Sequence, residues 1–416
     1  MTPQTKFGLI GKSLKHSFSA EIHALLGNDD YRLLPLDEEE VDEFMRRAEF
    51  SGINVTIPYK QTVIPYLDDL DPHARAIGAV NTVIRKGDKL IGYNTDFYGL
   101  QALIDALDLQ VSGKKVLILG SGGTSKTARE LGRHLHARAV IRVSRTPGED
   151  SCSYEQAMTL HQDAEIIINT TPVGMYPDRI GQSPIDLAPF QKLEGLVDTV
   201  YNPLRTQLVL EAQKRKVPAS GGLFMLIMQA HYAAEFFMNQ KIDRKKSEAI
   251  FLSLLRRKEN IVLTGMPGSG KSTLGRILAQ KLNRPFHDTD DLIVSDRGRT
   301  IPQIFEEEGE AGFRDRESEV IRSLTEASGA VIATGGGSVL RPENVDALKA
   351  NGRLFLIDRP LESLIPSSDR PLSSNRGDLE KKYRERKDLY RSTADRILTT
   401  NAGPEETAEL ILKEYR

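Results

Sequence analysis

The chain has 416 residues, with 56 Lys and Arg against 58 Asp and Glu, so its formal charge is −2; that balance excludes a bulk electrostatic pull toward nucleic acid or an anionic membrane. A hydrophobic fraction of 39% with 27% charged residues suits a folded chain of two to four domains and excludes wholesale disorder. A lone cysteine, Cys152, leaves no disulfide framework or multi-cysteine zinc site, and without a signal-peptide core or a membrane-length apolar run the expectation is a cytoplasmic protein.

Short β-branched runs, most of them ending at glycine, recur along the chain. They are Lys6–Gly11 (KFGLIG), Lys115–Gly120 (KVLILG), Ala164–Thr171 (AEIIINTT), Asn260–Gly265 (NIVLTG), Ala330–Gly337 (AVIATGGG) and Arg353–Asp358 (RLFLID). Continuous apolar runs separated by helical patterns predict buried parallel strands that feed helix N-termini. The fold class expected is therefore α/β.

After the first run come three dense polar clusters: His16-Ser17-Phe18-Ser19, Asn54 to Lys60 (NVTIPYK), and Gly78 to Thr82 (GAVNT) followed by Gly92 to Asp96 (GYNTD). Apolar residues alternate with small polar ones, so each segment can present Ser, Thr or Asn to a polyhydroxylated ligand, although such residues also serve ordinary turns. Lys60 and Asp96 are candidates for a proton-transfer pair. Gln110–Lys115 is a polar break. Beyond it, Gly120-Ser121-Gly122-Gly123 stands between a strand pattern and a helical one, the setting of a dinucleotide pyrophosphate site. About 25 residues on, Ser144-Arg145-Thr146 puts a cation where NAD-binding folds want a carboxylate, which favours NADP(H).

In this order HSFS, NVTIPYK, GAVNT, GYNTD, GSGG, SRT, NTTPVGM (Asn169–Met175) and GLFMLIMQ (Gly222–Gln229) resemble shikimate dehydrogenase over nearly all of residues 6–240. The resemblance implies a catalytic Lys60–Asp96 pair. It implies substrate contacts from Ser17, Ser19, Thr56, Lys60, Asn81, Asp96 and Gln229, with Tyr201 near the substrate carboxylate. Gly120, Ser121, Gly122, Gly123, Arg145, Thr146 and Met175 would line the NADP(H) side. Departures are mild: Ser13 and Ala20 stand where the family often has proline, Ala24 and Ser144 where asparagine is usual. His16 reads as structural and Cys152 as an incidental thiol.

From Asn239 to Asn260 the chain is strongly basic with an apolar centre, Ile250–Leu255, and reads as a helical connector. The run Gly265-Met-Pro-Gly-Ser-Gly-Lys-Ser272 then fits G-x-x-x-x-G-K-[ST] between a strand pattern and a helical one, Thr273–Leu282. Such a loop converges backbone N–H groups on a phosphate at a helix N-terminus. Lys271 would reach the β- and γ-phosphates and the Ser272 hydroxyl would hold Mg²⁺. Asp288 and Asp290, read as i and i+2 at a strand end, would face the same way, one for Mg²⁺ and one for a hydroxyl nucleophile. Arg314, Arg370 and Arg386, together with this loop, suggest an anionic co-substrate.

From about Asn260 onward these residues resemble shikimate kinase, within the nucleoside-monophosphate-kinase-like P-loop group. The resemblance implies Asp290 as holder of the attacking hydroxyl and candidate base, and Asp288 as a Mg²⁺ support, through water. It implies Arg314 and Arg386 as a carboxylate clamp, Gly336 and Gly337 as the pocket wall, and Arg370 as the lid arginine. Gly265, Pro267, Gly268, Ser269, Gly270, Lys271, Ser272, Thr273 and Arg370 would form the ATP side. Only IPSSD separates Leu364 from Arg370, a shorter lid than the family usually carries.

The expected architecture is an N-terminal substrate-binding α/β lobe (1–105 with 223–240) plus a Rossmann-like NADP-binding lobe (106–222). A linker helix (241–258) and a P-loop α/β kinase domain (259–416) follow. The two resemblances imply a bifunctional enzyme that reduces 3-dehydroshikimate to shikimate with NADPH and then phosphorylates shikimate with ATP and Mg²⁺. Quinate is a second candidate substrate of the first half. In an alternative reading, motivated by the short lid, one half is a non-catalytic module that senses shikimate or nucleotide for the other. Small molecules are the expected partners, without nucleic acid or membrane.

Overall fold

A computed structural model describes residues 6–14, 17–364 and 376–415. By the contacts its residues make, the chain divides into two units. One runs to Met175 and adds Gln182–Asn202 and Glu211–Ser253; the other holds Tyr176–Gly181, Pro203–Leu210 and everything from Leu254 onward.

The first unit carries two six-stranded sheets. In one, strands β1 (Phe7–Gly11), β2 (Tyr31–Pro35), β3 (Gly52–Val55), β4 (Asp69–Leu70), β5 (Thr82–Lys86) and β6 (Lys89–Tyr93) lie in the order β2-β1-β3-β5-β6-β4. β1 pairs in parallel with β2 and β3, and β5 runs antiparallel to both β3 and β6. β5 and β6 form a hairpin through Gly87 and Asp88, and on the other edge of β5 the polar residue Asn54 of β3 stands opposite Thr82.

The other sheet comprises β7 (Lys115–Leu119), β8 (Ala139–Val143), β9 (Ser151–Cys152), β10 (Ile166–Asn169), β11 (Gly195–Asp198) and β12 (Ala219–Ser220). Its order is β12-β11-β10-β7-β8-β9, with parallel pairing throughout. The chain order reverses beside β7, and ligands of open α/β sheets sit at the carboxyl ends of strands at such a point. The predicted runs at 115–120 and 164–171 are buried central strands here, as continuous apolar sequence requires.

The helix Thr95–Ala106 ties the two sheets together. Its Phe97, Leu100, Leu103 and Ile104 share one core with Val116, Ile118, Ile166 and Ile168 of the second sheet. The same helix crosses Leu223–Met238 at Gly99, where a Cβ would stand 2.7 Å from the Met225 carbonyl and 3.0 Å from the Gln229 amide. Only glycine permits that approach, and it brings Gln229 and Met225 beside the start of the helix that carries Asp96.

The second unit has one parallel sheet built from β13 (Asn260–Thr264), β14 (Phe286–Asp288), β15 (Val331–Ala333), β16 (Gly352–Asp358) and β17 (Arg396–Thr399), in the order β14-β15-β13-β16-β17. Alternate residues of β13 feed opposite cores. Ile261 and Leu263 pack with Leu274, Leu278, Phe355 and Ile411, while Val262 packs with Ile321, Ile332, Leu354 and Leu356. Out of β13 the chain turns through Gly265, Gly268 and Gly270, all at positive φ, into the helix Lys271–Leu282. Among the described residues no helix is long and apolar enough to cross a membrane. The basic connector is helical over Arg244–Lys258, as its pattern predicts.

Two candidate active sites

In the first unit a cavity of about 390 Å³ lies where the strand ends of the first sheet meet the two crossed helices. Ser17, Ser19, Thr56, Lys60, Asn81, Asp96, Tyr201 and Gln229 all line it. Every residue expected to touch the first substrate is therefore gathered in one place, from segments as far apart as Ser17 and Gln229.

The centre of that cavity is an ion pair. Lys60 Nζ lies 2.6 Å from Asp96 Oδ2, both side chains being mostly covered. The other carboxylate oxygen, Oδ1, accepts from Asn81 Nδ2 at 3.0 Å. Asn81 is held in that sense because its Oδ1 accepts the Thr95 amide at 2.6 Å and also the Thr82 hydroxyl. Behind it, Asn54 Nδ2 donates to the Asn81 carbonyl and to Thr82 Oγ1, and Asn54 Oδ1 accepts from the Tyr31 hydroxyl at 2.7 Å. Burial pushes the Tyr31 phenol well above its usual range, so it is a donor at neutral pH. The chain Tyr31–Asn54–Thr82–Asn81 thus fixes the direction of each amide up to Asp96. Tyr201 is likewise kept protonated by burial.

The glycine turn expected at a dinucleotide lies at the carboxyl end of β7. Gly120 has φ +112°, and a Cβ there would meet Thr170. At Gly122 and Gly123 the direction a Cβ would take is open space, at the N-terminus of the helix Gly123–His134. Ser121, Arg145, Thr146 and Met175 are solvent-exposed. None of these seven residues lines the 390 Å³ cavity; Thr124, next to them in sequence, does.

The second unit holds a cavity of about 310 Å³ above the Gly265–Gly270 loop. Pro267, Gly268, Gly270, Lys271, Ser272 and Thr273 line it from the loop side, and Asp288, Asp290, Arg314, Gly336, Gly337 and Arg386 from the other. Two loop residues lie beneath the surface instead. Ser269 is buried, and a Cβ on Gly265 would press on the Ile357 carbonyl. Lys271 Nζ donates to the carbonyls of Gly265 and Met266 at 2.9 and 3.0 Å, which arches the loop over it. Arg370 falls outside the described residues, as does His16.

One expected geometry needs correction. Asp288 and Asp290 do not share a strand face, because β14 ends at Asp288 and Asp290 belongs to the first turn of the helix Thr289–Arg297. Asp288 caps that helix, Oδ1 accepting the Asp290 amide at 3.0 Å. The turn, not the pleat, brings both carboxylates to the cavity.

The three glycines after β15 are each required by close approach. A Cβ on Gly335 would meet Glu317 and Asp290, one on Gly336 would meet Pro267 at 2.7 Å, and one on Gly337 would overlap the Arg314 guanidinium. Arg314 is carried by the helix Ile301–Ser323, which breaks at Gly309 (φ +71°) and lines the cavity on both sides of the break, through Ile301 and Phe305 before it and Arg314 after it. Arg314 Nη1 donates to Glu317 at 2.7 Å, and Glu317 also accepts from Ser338 Oγ at 2.6 Å. Arg386 Nη1 donates to the Gly336 carbonyl at 3.0 Å, which also accepts from the Tyr390 hydroxyl. Burial drives the Tyr390 phenol up to about 12.

Sequence reasoning missed Glu317 and Lys382, which also line this cavity. Their spacing held the signal: Glu317 is three residues after Arg314 and Lys382 four before Arg386, so each shares a helix face with a singled-out arginine. It also missed Thr124 and Thr199 in the first cavity, for which no local pattern existed.

Comparison with known proteins agrees with this division. Residues 9–83 match the family profile described as the shikimate dehydrogenase substrate binding domain. The shikimate dehydrogenase (NADP(+)) of Clostridium beijerinckii is 32% identical over 262 residues, covering 59% of this chain and 96% of that protein. That of Geobacillus kaustophilus is 35% identical over 274 residues, covering 60% and 99%.

The chain belongs to the shikimate dehydrogenase family.

A solved chorismate mutase/shikimate 5-dehydrogenase fusion protein from Clostridium acetobutylicum is similar at 32% identity with a TM-score of 0.56, covering 60% of this chain and 97% of that one. The Thermus thermophilus shikimate 5-dehydrogenase, solved in complex with NADP(H) and shikimate, gives 28% identity and a TM-score of 0.53 over 59% and 98%. Beyond the dehydrogenase, residues 267–416 match the family profile described as shikimate kinase. The protein is a bifunctional enzyme of the shikimate pathway, a shikimate dehydrogenase followed by a shikimate kinase domain.

Proposed function

We propose that the two cavities perform consecutive steps: reduction of 3-dehydroshikimate to shikimate in the first unit, and phosphorylation of shikimate to shikimate 3-phosphate in the second. The observation that carries this reading is that each unit gathers, in one cavity, the acid, base and cation its own reaction needs.

NADPH, when bound, supplies the hydride. The open space at Gly122 and Gly123, at a helix N-terminus, suits a pyrophosphate, and exposed Arg145 suits a 2′-phosphate. Hydride arrival at the ring ketone leaves negative charge on its oxygen. Lys60 stands in the cavity to offset that charge and give up a proton, while Asp96 orients the ammonium and accepts from a neighbouring substrate hydroxyl. Ser17, Ser19, Thr56, Asn81 and Gln229 hold the remaining hydroxyls and carboxylate, with the protonated Tyr201 as a further donor.

ATP with Mg²⁺, when bound, supplies the phosphoryl group. Ser272 and Asp288 both line the cavity and would fit a magnesium shell, Asp288 through water. Asp290 accepts the proton of the attacking hydroxyl, and Lys271 stabilises the phosphates. Arg314 and Arg386 receive the shikimate carboxylate against the wall of Gly336 and Gly337, and Arg370 completes the lid. For the domains we propose 1–105 with 223–240 as substrate lobe, 106–222 as NADP lobe, 241–258 as linker and 259–416 as kinase. The balanced charge and single cysteine support a cytoplasmic site of action.

The test is a single reaction containing 3-dehydroshikimate, NADPH and Mg-ATP, with products identified by mass. Shikimate 3-phosphate is the expected end product; accumulation of shikimate without phosphate would reject the second step for this chain.

A further inference from the structure

The kinase cavity carries a cation that the two-arginine clamp does not use. Arg314 is already compensated: Nη1 pairs with the buried Glu317 at 2.7 Å and Nη2 with Glu310 at 3.3 Å. Asp288, Asp290 and Glu317 add negative charge to the cavity wall. Lys271 stands at the phosphate-loop end, bonded to the carbonyls of Gly265 and Met266. Away from the phosphate loop, the cavity's positive charge that no carboxylate pairs with lies on one helix.

That helix is Arg376–Thr393. Arg386 bonds to a neutral carbonyl, Gly336 O, so its charge is not offset. Lys382 lies one turn earlier, on the same face, and also lines the cavity. Among the described residues neither Arg386 nor Lys382 has an ion-pair partner. Two cations without an ion-pair partner, one turn apart, Arg386 buried and Lys382 partly covered, form an anion site of the kind that a carboxylate fits.

We propose that Lys382 is a substrate-contacting residue of the kinase, which meets the shikimate carboxylate together with Arg386; this rests on the kinase reading above. Arg314, though tied to two glutamates, stays part of the clamp proposed above.

The chemistry of lysine makes the idea separable from a structural role. Burial and the nearby Arg386 and Arg314 lower the Lys382 pKa, opposed by Glu310 and Glu385; these are the groups that face it from its own helix and from Ile301–Ser323. Lys382 consequently loses its proton at lower pH than an ordinary lysine, and affinity for an anion falls as pH rises through that value. An arginine in its place keeps its charge.

The experiment uses the full chain and shikimate-dependent ADP release, from about pH 7 to about pH 9.5. Lys382→Met is expected to raise the KM for shikimate by about tenfold at pH 7, the worth of one charge-assisted bond, with the KM for ATP unchanged. Lys382→Arg is expected to keep a near-native KM at pH 7 and to flatten the alkaline rise in KM. A native KM for shikimate in Lys382→Met would overturn the proposal. So would an alkaline rise in Lys382→Arg equal to that of the native chain, and this second comparison decides the matter should Lys382→Met fail to fold. Failure of the underlying kinase reading looks different: the native chain itself would release no ADP in response to shikimate.

Discussion

The residue that best shows how sterics become chemistry is Gly337. Its backbone lies at φ −109°, a conformation open to any residue, so its glycine is not a matter of backbone freedom. What excludes a side chain is the Arg314 guanidinium, on which a Cβ would sit. Arg314 cannot retreat cheaply, because Glu317 holds it and is itself fully buried with Ser338 as its other partner; a buried carboxylate stripped of its cation is strongly unfavourable. Gly337→Ala is therefore expected to shift Arg314 into the cavity and raise the KM for shikimate on the order of tenfold or more, a modest misplacement carrying a large kinetic cost. Steady-state kinetics with ATP varied separately checks it, and a loss confined to the KM for ATP would contradict the geometry.

Among elements, the pairing of β3 with β5 does more than close a sheet. Asn54 on one strand and Thr82 on the other stand opposite each other, and the bonds they exchange reach Asp96 through Asn81. Both are buried, so the network is satisfied within the protein and its loss is not repaired by water. Asn54→Leu keeps the volume but leaves the Tyr31 hydroxyl without its partner and takes one of two donors from the Asn81 carbonyl, which still accepts the Val55 amide. The expected destabilisation is about 1–3 kcal/mol, read as a lower thermal midpoint of the first unit, with a fall in dehydrogenase kcat because Asp96 is no longer held. Thr82→Ser, which keeps the hydroxyl, is expected to retain both. If Asn54→Leu lost stability alone, the network would be scaffolding with no part in orienting the pair.

At the scale of the whole molecule, each unit contains its own sheet or sheets, its own core and its own cavity. Neither cavity borrows a lining residue from the other unit. The two activities should accordingly be separable by point substitution. Lys60→Met is expected to lower shikimate-dependent NADP⁺ reduction by on the order of 10²–10⁴-fold and to leave shikimate-dependent ADP release intact. Lys271→Ala should do the reverse. Parallel assays on the same preparations check both; loss of the two activities together in either variant would mean that one unit depends on an occupied, intact site in the other.

What the sequence by itself determined were the features written in local pattern. Apolar runs marked β7, β10, β13 and β16, because a strand buried on both faces must be apolar throughout. The Gly265–Ser272 loop and the Gly120–Gly123 turn were legible because their glycines serve backbone geometry at a single place in the chain. Lys60, Asp96 and the kinase arginines could be singled out by residue type and motif order. Tertiary structure alone decided how those groups are used. The Tyr31–Asn54–Thr82–Asn81 relay, the bond from Ser338 to Glu317 and the reach of Arg386 to the Gly336 carbonyl all depend on which faces meet. Those meetings join residues up to dozens of positions apart, and a hydrogen bond or ion pair of that kind leaves no period in the sequence to read. Partnership, and with it the charge left free to bind a substrate, is a property of packing.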